Sequence, residues 1–308
     1  MQSANYQRQI GLSIFRVLVS ILVLVNLVNF LPYSGDFFGN GNIYPYSRYS
    51  EKLNNVGLSF LKYPFNAVFS AKLYLYLGIT LSVFLLFGIF KQLTCLSLFL
   101  FLLILHLRNP FLYDGADTTI RVTLPFLAFA DSYKYFSFNF LNIRIKNTIV
   151  ELFLSQIKKY ALIGFLIQVC IIYLVTALIK VHSDLWYNGT ATYYTLRVEK
   201  YMASPLNIYL TQNIYFVTFS TYSVLLFELA FAFLIWFKKT KWYLLSYGVI
   251  FNLGIWFLMR IEVFPWIMIA TYMVFITDEE YKLIYKKIQN KKNRLTELAK
   301  SIRRRNQH

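Results

Sequence analysis

Eight apolar stretches recur along the 308-residue chain, and the first, residues 11–31, carries a single charge, Arg16. A helix needs about 20 predominantly apolar residues to cross a bilayer, and a helix satisfies its own backbone there without water. The other stretches are residues 73–90, 93–107, 118–130, 160–180, 214–237, 242–258 and 263–277. The expected fold is therefore all-α: a polytopic transmembrane helix bundle of about eight spans, with interfacial helices. Several stretches are shorter than a full crossing, which predicts tilted, interface-extended or partly re-entrant segments.

Composition agrees, since 57% of the residues are hydrophobic and 15% charged, a balance foreign to disordered chains and to ordinary soluble domains. The formal net charge of +17 points to loops and tails on the cytoplasmic side of a membrane before it points to nucleic acid. With eight alternating spans, twenty Lys and Arg fall on the side of the C-terminal tail and eight on the other. The positive-inside rule then places both termini in the cytoplasm. Trp236 and Trp242 fall near the inner edge and Trp186, Trp256 and Trp266 near the outer, as an interfacial belt would.

Residues 1–280 read as one membrane domain and residues 281–308 as a basic cytoplasmic tail. In that tail Ile284, Ile288, Leu295, Leu298 and Ile302 recur at helical spacing among lysines and arginines, an amphipathic pattern suited to contact with anionic membrane lipids. Residues 56–70 are apolar but broken by Lys62 and Pro64, which predicts interfacial helices on the outer surface. The first stretch is too long for a signal-peptide core and no small-residue cleavage pattern follows it, so it is expected to remain as a helix. Cys95 and Cys170 each lie within an apolar run, which argues against a disulfide framework.

Polar residues inside spans are costly and usually face the bundle interior. Arg16 and Glu228 are both expected near the inner half, where they can form a structural ion pair. Lys180 closes the fifth span, and a helix at 100° per residue brings Tyr173, Thr176 and Asp184 to its face. Such a lysine either snorkels to the interface or, once desolvated, serves as a base or nucleophile. The segment before the fourth span holds His106, Arg108, Asn109, Asp114, Asp117 and Arg121. These either pair locally to position a short helix or line a polar pocket shared with Lys180, His182 and Asp184. The three histidines make no ligand set, no metal motif is present and no metal is expected.

The segment QVCIIYLVTALIKVHSDLWYNGTATYY, residues 168–194, resembles the HTTM domain, the membrane domain shared by vitamin K-dependent γ-carboxylases and smaller bacterial proteins. The matching residues are Lys180, Trp186, Gly189, Thr190, Ala191, Tyr193 and Tyr194. Arg16, the run from Arg108 to Arg121 with Asp131, and FELAFAFL with Glu228 follow in the same order. The resemblance implies that Lys180 is the catalytic base acting with a quinone-type cofactor, menaquinone or vitamin K hydroquinone. It also implies a surrounding pocket that includes Tyr173, Trp186 and Asn252. Many members carry a histidine where this chain has Asn252, and the large region that recognises the carboxylase substrate has no counterpart after residue 277. In size the chain is similar to stand-alone bacterial members such as the one that matures a secreted sporulation-delaying peptide, with an exported peptide and an accessory maturation protein as implied partners. A non-catalytic membrane partner or immunity factor for such a peptide is the competing expectation.

Overall fold

A computed structural model of the chain describes residues 7–38, 44–65, 68–112, 114–138 and 148–305. Arg144 and Lys146, which count toward the basic side, lie outside the described residues. The chain opens with α1 (Gln9–Phe30), and α2 (Ser34–Phe38), α3 (Tyr46–Asn55) and a 3-10 helix over Ser59–Phe65 lead into α4 (Val68–Phe87). Next come α5 (Lys91–Arg108), α6 (Gly115–Phe129) and the long α7 (Thr148–Val181). Three short helices, α8 (Asp184–Tyr187), α9 (Ala191–Arg197) and α10 (Leu206–Thr211), join it to α11 (Ile214–Leu234). The chain closes with α12 (Lys238–Leu258), α13 (Phe264–Met273) and α14 (Asp278–Arg305). Among the described residues there is no β-strand, only an isolated bridge between Met202 and Met259. The expected all-α bundle is what forms, and each of the eight apolar stretches contributes a helix. Five of these helices, α1, α4, α5, α7 and α11, are long and apolar enough to cross a membrane.

The eight helices pack as a closed circuit. In order around it are α1, α4, α5, α6, α7, α11, α12 and α13, with α13 returning to α1 and α6 reaching across to α13. The approach of α13 to α1 is close enough to need Gly11, because a Cβ there would come within 2.2 Å of the Met273 carbonyl oxygen. Small residues at such contacts let helices pack where no hydrophobic effect drives association.

Hydrogen bonds tie one end of the bundle together. The Asp278 carboxylate accepts from the backbone N–H of Gln9 at 3.2 Å and of Ile10 at 2.9 Å, satisfying first-turn amides of α1. Gln9 Nε2 donates to Asp131 at 2.6 Å, just beyond α6. Lys241 near the start of α12 grips both oxygens of Glu280 at 2.6 Å. Burial alone would raise the Glu280 pKa, but the hydrogen bonds from Lys241 and the Thr277 N–H outweigh it and hold this carboxyl below its ordinary value. The starts of α1 and α12, the end of α13 and the start of α14 thus share one end, called here the basic end.

Arg16 anchors the same half. It is fully buried on α1 and donates to the carbonyls of Leu85, Leu86, Ser132, Tyr135 and Phe136 at 2.5–3.1 Å. Two of these carbonyls belong to the last turn of α4, where the Leu85 carbonyl also accepts from the Gly88 N–H. The ion pair expected between Arg16 and Glu228 does not form. Similar depth in the sequence does not make two helices neighbours, and α1 packs on α4 and α13 whereas α11 packs on α7 and α12.

Candidate functional site

Helix α7 presents Tyr173, Thr176 and Lys180 on one face, at i, i+3 and i+7. That face meets α11 in one of the most extensive packing contacts of the bundle. Lys180 Nζ donates to Glu228 Oε1 in an ion pair, with the lysine side chain 23% exposed and the glutamate 5%. The other carboxylate oxygen, Oε2, is buried without a hydrogen-bond donor. Over the ammonium lies the Trp186 ring, its centroid 4.7 Å from Nζ, a cation–π arrangement that also covers the charge.

Deeper in the same interface the Tyr173 and Tyr272 hydroxyls bond to each other. Asn252 Nδ2 donates to the Tyr272 hydroxyl at 2.9 Å and to the Gly248 carbonyl at 2.8 Å, leaving its Oδ1 buried without a donor. Phe227 and Phe231 pack their rings 5.4 and 4.4 Å from that of Tyr173. An ion pair and a tyrosine–tyrosine–asparagine chain therefore sit in an aromatic shell.

The covering tryptophan is placed by the loop between α7 and α11. Tyr222 on α11 donates its hydroxyl to the Tyr187 carbonyl at 2.7 Å, and Thr221 bonds Thr192 at 2.9 Å. Gly189 turns the chain with φ of 70°, and a Cβ there would meet the Tyr222 ring at 2.9 Å. Both the backbone conformation and the contact require glycine. Beside Trp186 is an open hollow of about 490 Å³ lined by Val181, Trp186, Tyr187, Asn188, Tyr222 and Leu225.

Lys180 lies deeper than a residue at the edge of a span. Its partner Glu228 is fourteen residues along α11 from Ile214, roughly 21 Å at the rise of an α-helix. Because α11 continues past the end of α7, and α8 and α9 pack beside it, the end of α7 does not mark the end of the bundle. Asp184 does not join the lysine face. Helix α7 stops at Val181, the chain turns at Ser183, and Asp184 begins α8 exposed to the surroundings. His182 is exposed too, its Nδ1 2.7 Å from the Leu178 carbonyl oxygen.

The segment between α5 and α6 is organised around its own contacts. Asp114 caps α6 by accepting from the N–H of Ala116 and Asp117 at 2.7 and 3.3 Å, and Asp117 accepts in return from the N–H of Asp114. His106 Nε2 approaches Asp117 at 3.7 Å, and Arg121, half-buried, follows one turn later on α6. Arg108 is fully buried, donates to the carbonyls of Phe38 and Tyr44 at 2.9 Å, and lies 5.5 Å from the Tyr49 ring. Burial pushes the Tyr49 phenol up to about 12 despite that guanidinium. Asn109 donates to the Phe37 carbonyl at 3.1 Å. Arg108 and Asn109 thus fasten the segment between α1 and α4 to the end of α5.

Tyr272 and Tyr222 had no distinguishing signal in the sequence, being two of 25 tyrosines; only the tertiary contacts select them. Among the described residues no group of three metal-ligating side chains is present. No curated protein and no solved structure matches the chain. The family model of the HTTM domain matches residues 7–279, a span that holds both halves of the Lys180–Glu228 pair, the Trp186 loop and every helix of the circuit. The chain is an integral membrane protein that belongs to the HTTM domain family.

Proposed function

We propose that the protein acts on an exported peptide from a bacterial inner membrane, with its basic end in the cytoplasm and Lys180 and Glu228 as the proton-handling pair. The observation that carries this reading is the pair itself: a lysine and a glutamate inside the bundle, one carboxylate oxygen without a donor, beside an aromatic hollow. A buried amine and carboxyl can exist as ammonium and carboxylate or, after one proton moves, as a neutral pair. Glu228 Oε2 can accept a proton from a hydroxyl brought beside it, while Lys180 Nζ balances the charge and Trp186 excludes water.

The residues fit a flat hydroxylated ring such as menaquinone or vitamin K hydroquinone. Trp186, Tyr187 and Tyr222 offer aromatic walls, and behind Trp186, outside the lining of the hollow, Glu228 Oε2 is a buried acceptor in want of a donor that a ring hydroxyl reaches once Trp186 moves aside. Tyr222 and Leu225 lie within the apolar length of α11, so the hollow is reached from the lipid, the phase in which such a group dissolves. When bound, the group supplies reducing electrons and, with oxygen, the strong base that abstraction of a carbon-bound proton requires. Tyr173, Tyr272 and Asn252 hold α7, α12 and α13 in register behind the pair.

The test compares wild-type protein with Lys180→Ala and Glu228→Gln variants in lipid nanodiscs, supplied with the hydroquinone in air. Wild type should bind it and form the epoxide, and each variant should turn over at least about 100-fold more slowly. Absence of turnover in the wild type, with Lys180→Ala still supporting peptide maturation or immunity in cells, would replace this reading with that of a non-catalytic partner.

A further inference from the structure

Far from Lys180, at the basic end, α1 and α7 enclose a second hollow of about 340 Å³. Arg8, Lys158 and Lys159 line it against a single carboxylate, Asp131, and Leu12 and Leu162 form its inner wall. Above these leucines Phe15 and Phe165 close the space edge to face, with centroids 4.8 Å apart. The lining thus changes from cationic to apolar over one turn of each helix, from Arg8 to Leu12 and from Lys158 to Leu162. We infer that this hollow binds the phosphodiester headgroup of an anionic phospholipid, with Arg8, Lys158 and Lys159 around the phosphate and the acyl chains outside the hollow, along the exposed face of α7 at Tyr160, Ile167 and Ile171.

Three further observations favour a lipid. Gln9, the first residue of α1, lines the hollow and donates to Asp131, which sets the hollow at the level where a membrane-crossing helix meets the headgroups. Lys158 lies 3.7 Å from Asp131 with both side chains a third or more exposed, an ion pair weak enough to rearrange around an incoming phosphate. Helix α7 also begins ten residues before Lys158, roughly 15 Å beyond it, and in that extension Ile149, Leu152 and Phe153 are exposed. Apolar side chains in front of a lysine pair suit immersion in the headgroup layer.

The inference is independent of the Lys180 chemistry. Native mass spectrometry and thermal unfolding of the full chain in a mild detergent test it, with phosphatidylglycerol, phosphatidylcholine and inorganic phosphate as probes. Phosphatidylglycerol should be retained as a one-to-one adduct and raise the unfolding midpoint, and the other two should do neither. Lys158→Gln/Lys159→Gln should weaken phosphatidylglycerol binding by about tenfold or more, whereas Lys158→Arg/Lys159→Arg should retain it. Lys238→Gln/Lys239→Gln, an equal charge loss elsewhere at the same end, should leave it unchanged. Equal stabilisation by phosphatidylcholine, an equal response to inorganic phosphate, or equal weakening by the Lys238/Lys239 variant would each overturn the inference.

Discussion

Arg16 and Lys180 are both cations within an apolar bundle, and they are satisfied in opposite ways. Arg16 has no exposed surface and spends its donors on five backbone carbonyls from two stretches of chain. Lys180 is partly exposed and leans on one carboxylate whose second oxygen has no donor. The first arrangement is saturated, so a proton or a ligand finds no opening there. The second leaves capacity over, and capacity for one more hydrogen bond is what a reacting site needs. Two cations of one bundle thus differ in how fully they are partnered, a difference that residue type alone does not give.

The largest effect should come from the saturated cation. Arg16→Met takes a donor from five carbonyls, of which those of Leu85 and Ser132 keep a second, and should cost on the order of 3–5 kcal/mol, read as loss of folded protein in detergent. Lys180→Met should be milder, and its cost should be largely recovered in the Lys180→Met/Glu228→Leu double variant, because the stranded carboxylate is removed with its partner. Recovery of stability without recovery of turnover would sharpen the distinction; a double variant no better than the single would break it.

Next in size is Gly189→Ala, which should displace the Trp186 loop at a cost of about 1–2 kcal/mol and leave the Arg16 half untouched. Tryptophan fluorescence, with Trp186 as the one responding residue, reads this directly. The smallest effect concerns pH. The Glu280 carboxyl is held below its ordinary value of 4.5, so its contribution to stability is complete above that pH and is lost as the pH falls through the lower folded value. Glu280→Gln should remove that contribution near neutrality, lowering the unfolding midpoint slightly there, and flatten the acid limb so that the two proteins converge at low pH; an unchanged acid limb would show that the Lys241 contact contributes nothing.

The helices were legible because run length is a local property, and each apolar stretch folds where it stands. Lys180, Glu228, Tyr173 and Asn252 stood out for the same reason, as polar or aromatic residues in apolar surroundings, and Trp186 through the family resemblance. Their partners did not. Glu228 pairs with Lys180 rather than Arg16 because α7, not α1, is its neighbour, and neighbourhood is decided by the order of packing around the circuit. Asp184 was misplaced because a helical projection holds only as far as the helix, which ends at Val181. Arg108 and Asn109 looked like pocket residues, yet the carbonyls they bind belong to Phe37, Phe38 and Tyr44, which carry no polar side-chain signal to betray the contact.

The sources of the Arg16 carbonyls also set an order of assembly. The first helix leaves the ribosome with a guanidinium whose acceptors have not yet been made, and the last of them, on Phe136, lies 120 residues downstream. Until then the nascent helix has an arginine at membrane depth that must stay hydrated, remain in the translocation machinery or rest shallowly at the surface. Arg16 thus gains its full set of acceptors once α4 and the turn after α6 are in place, well before α13 and Asp278 close the circuit against α1.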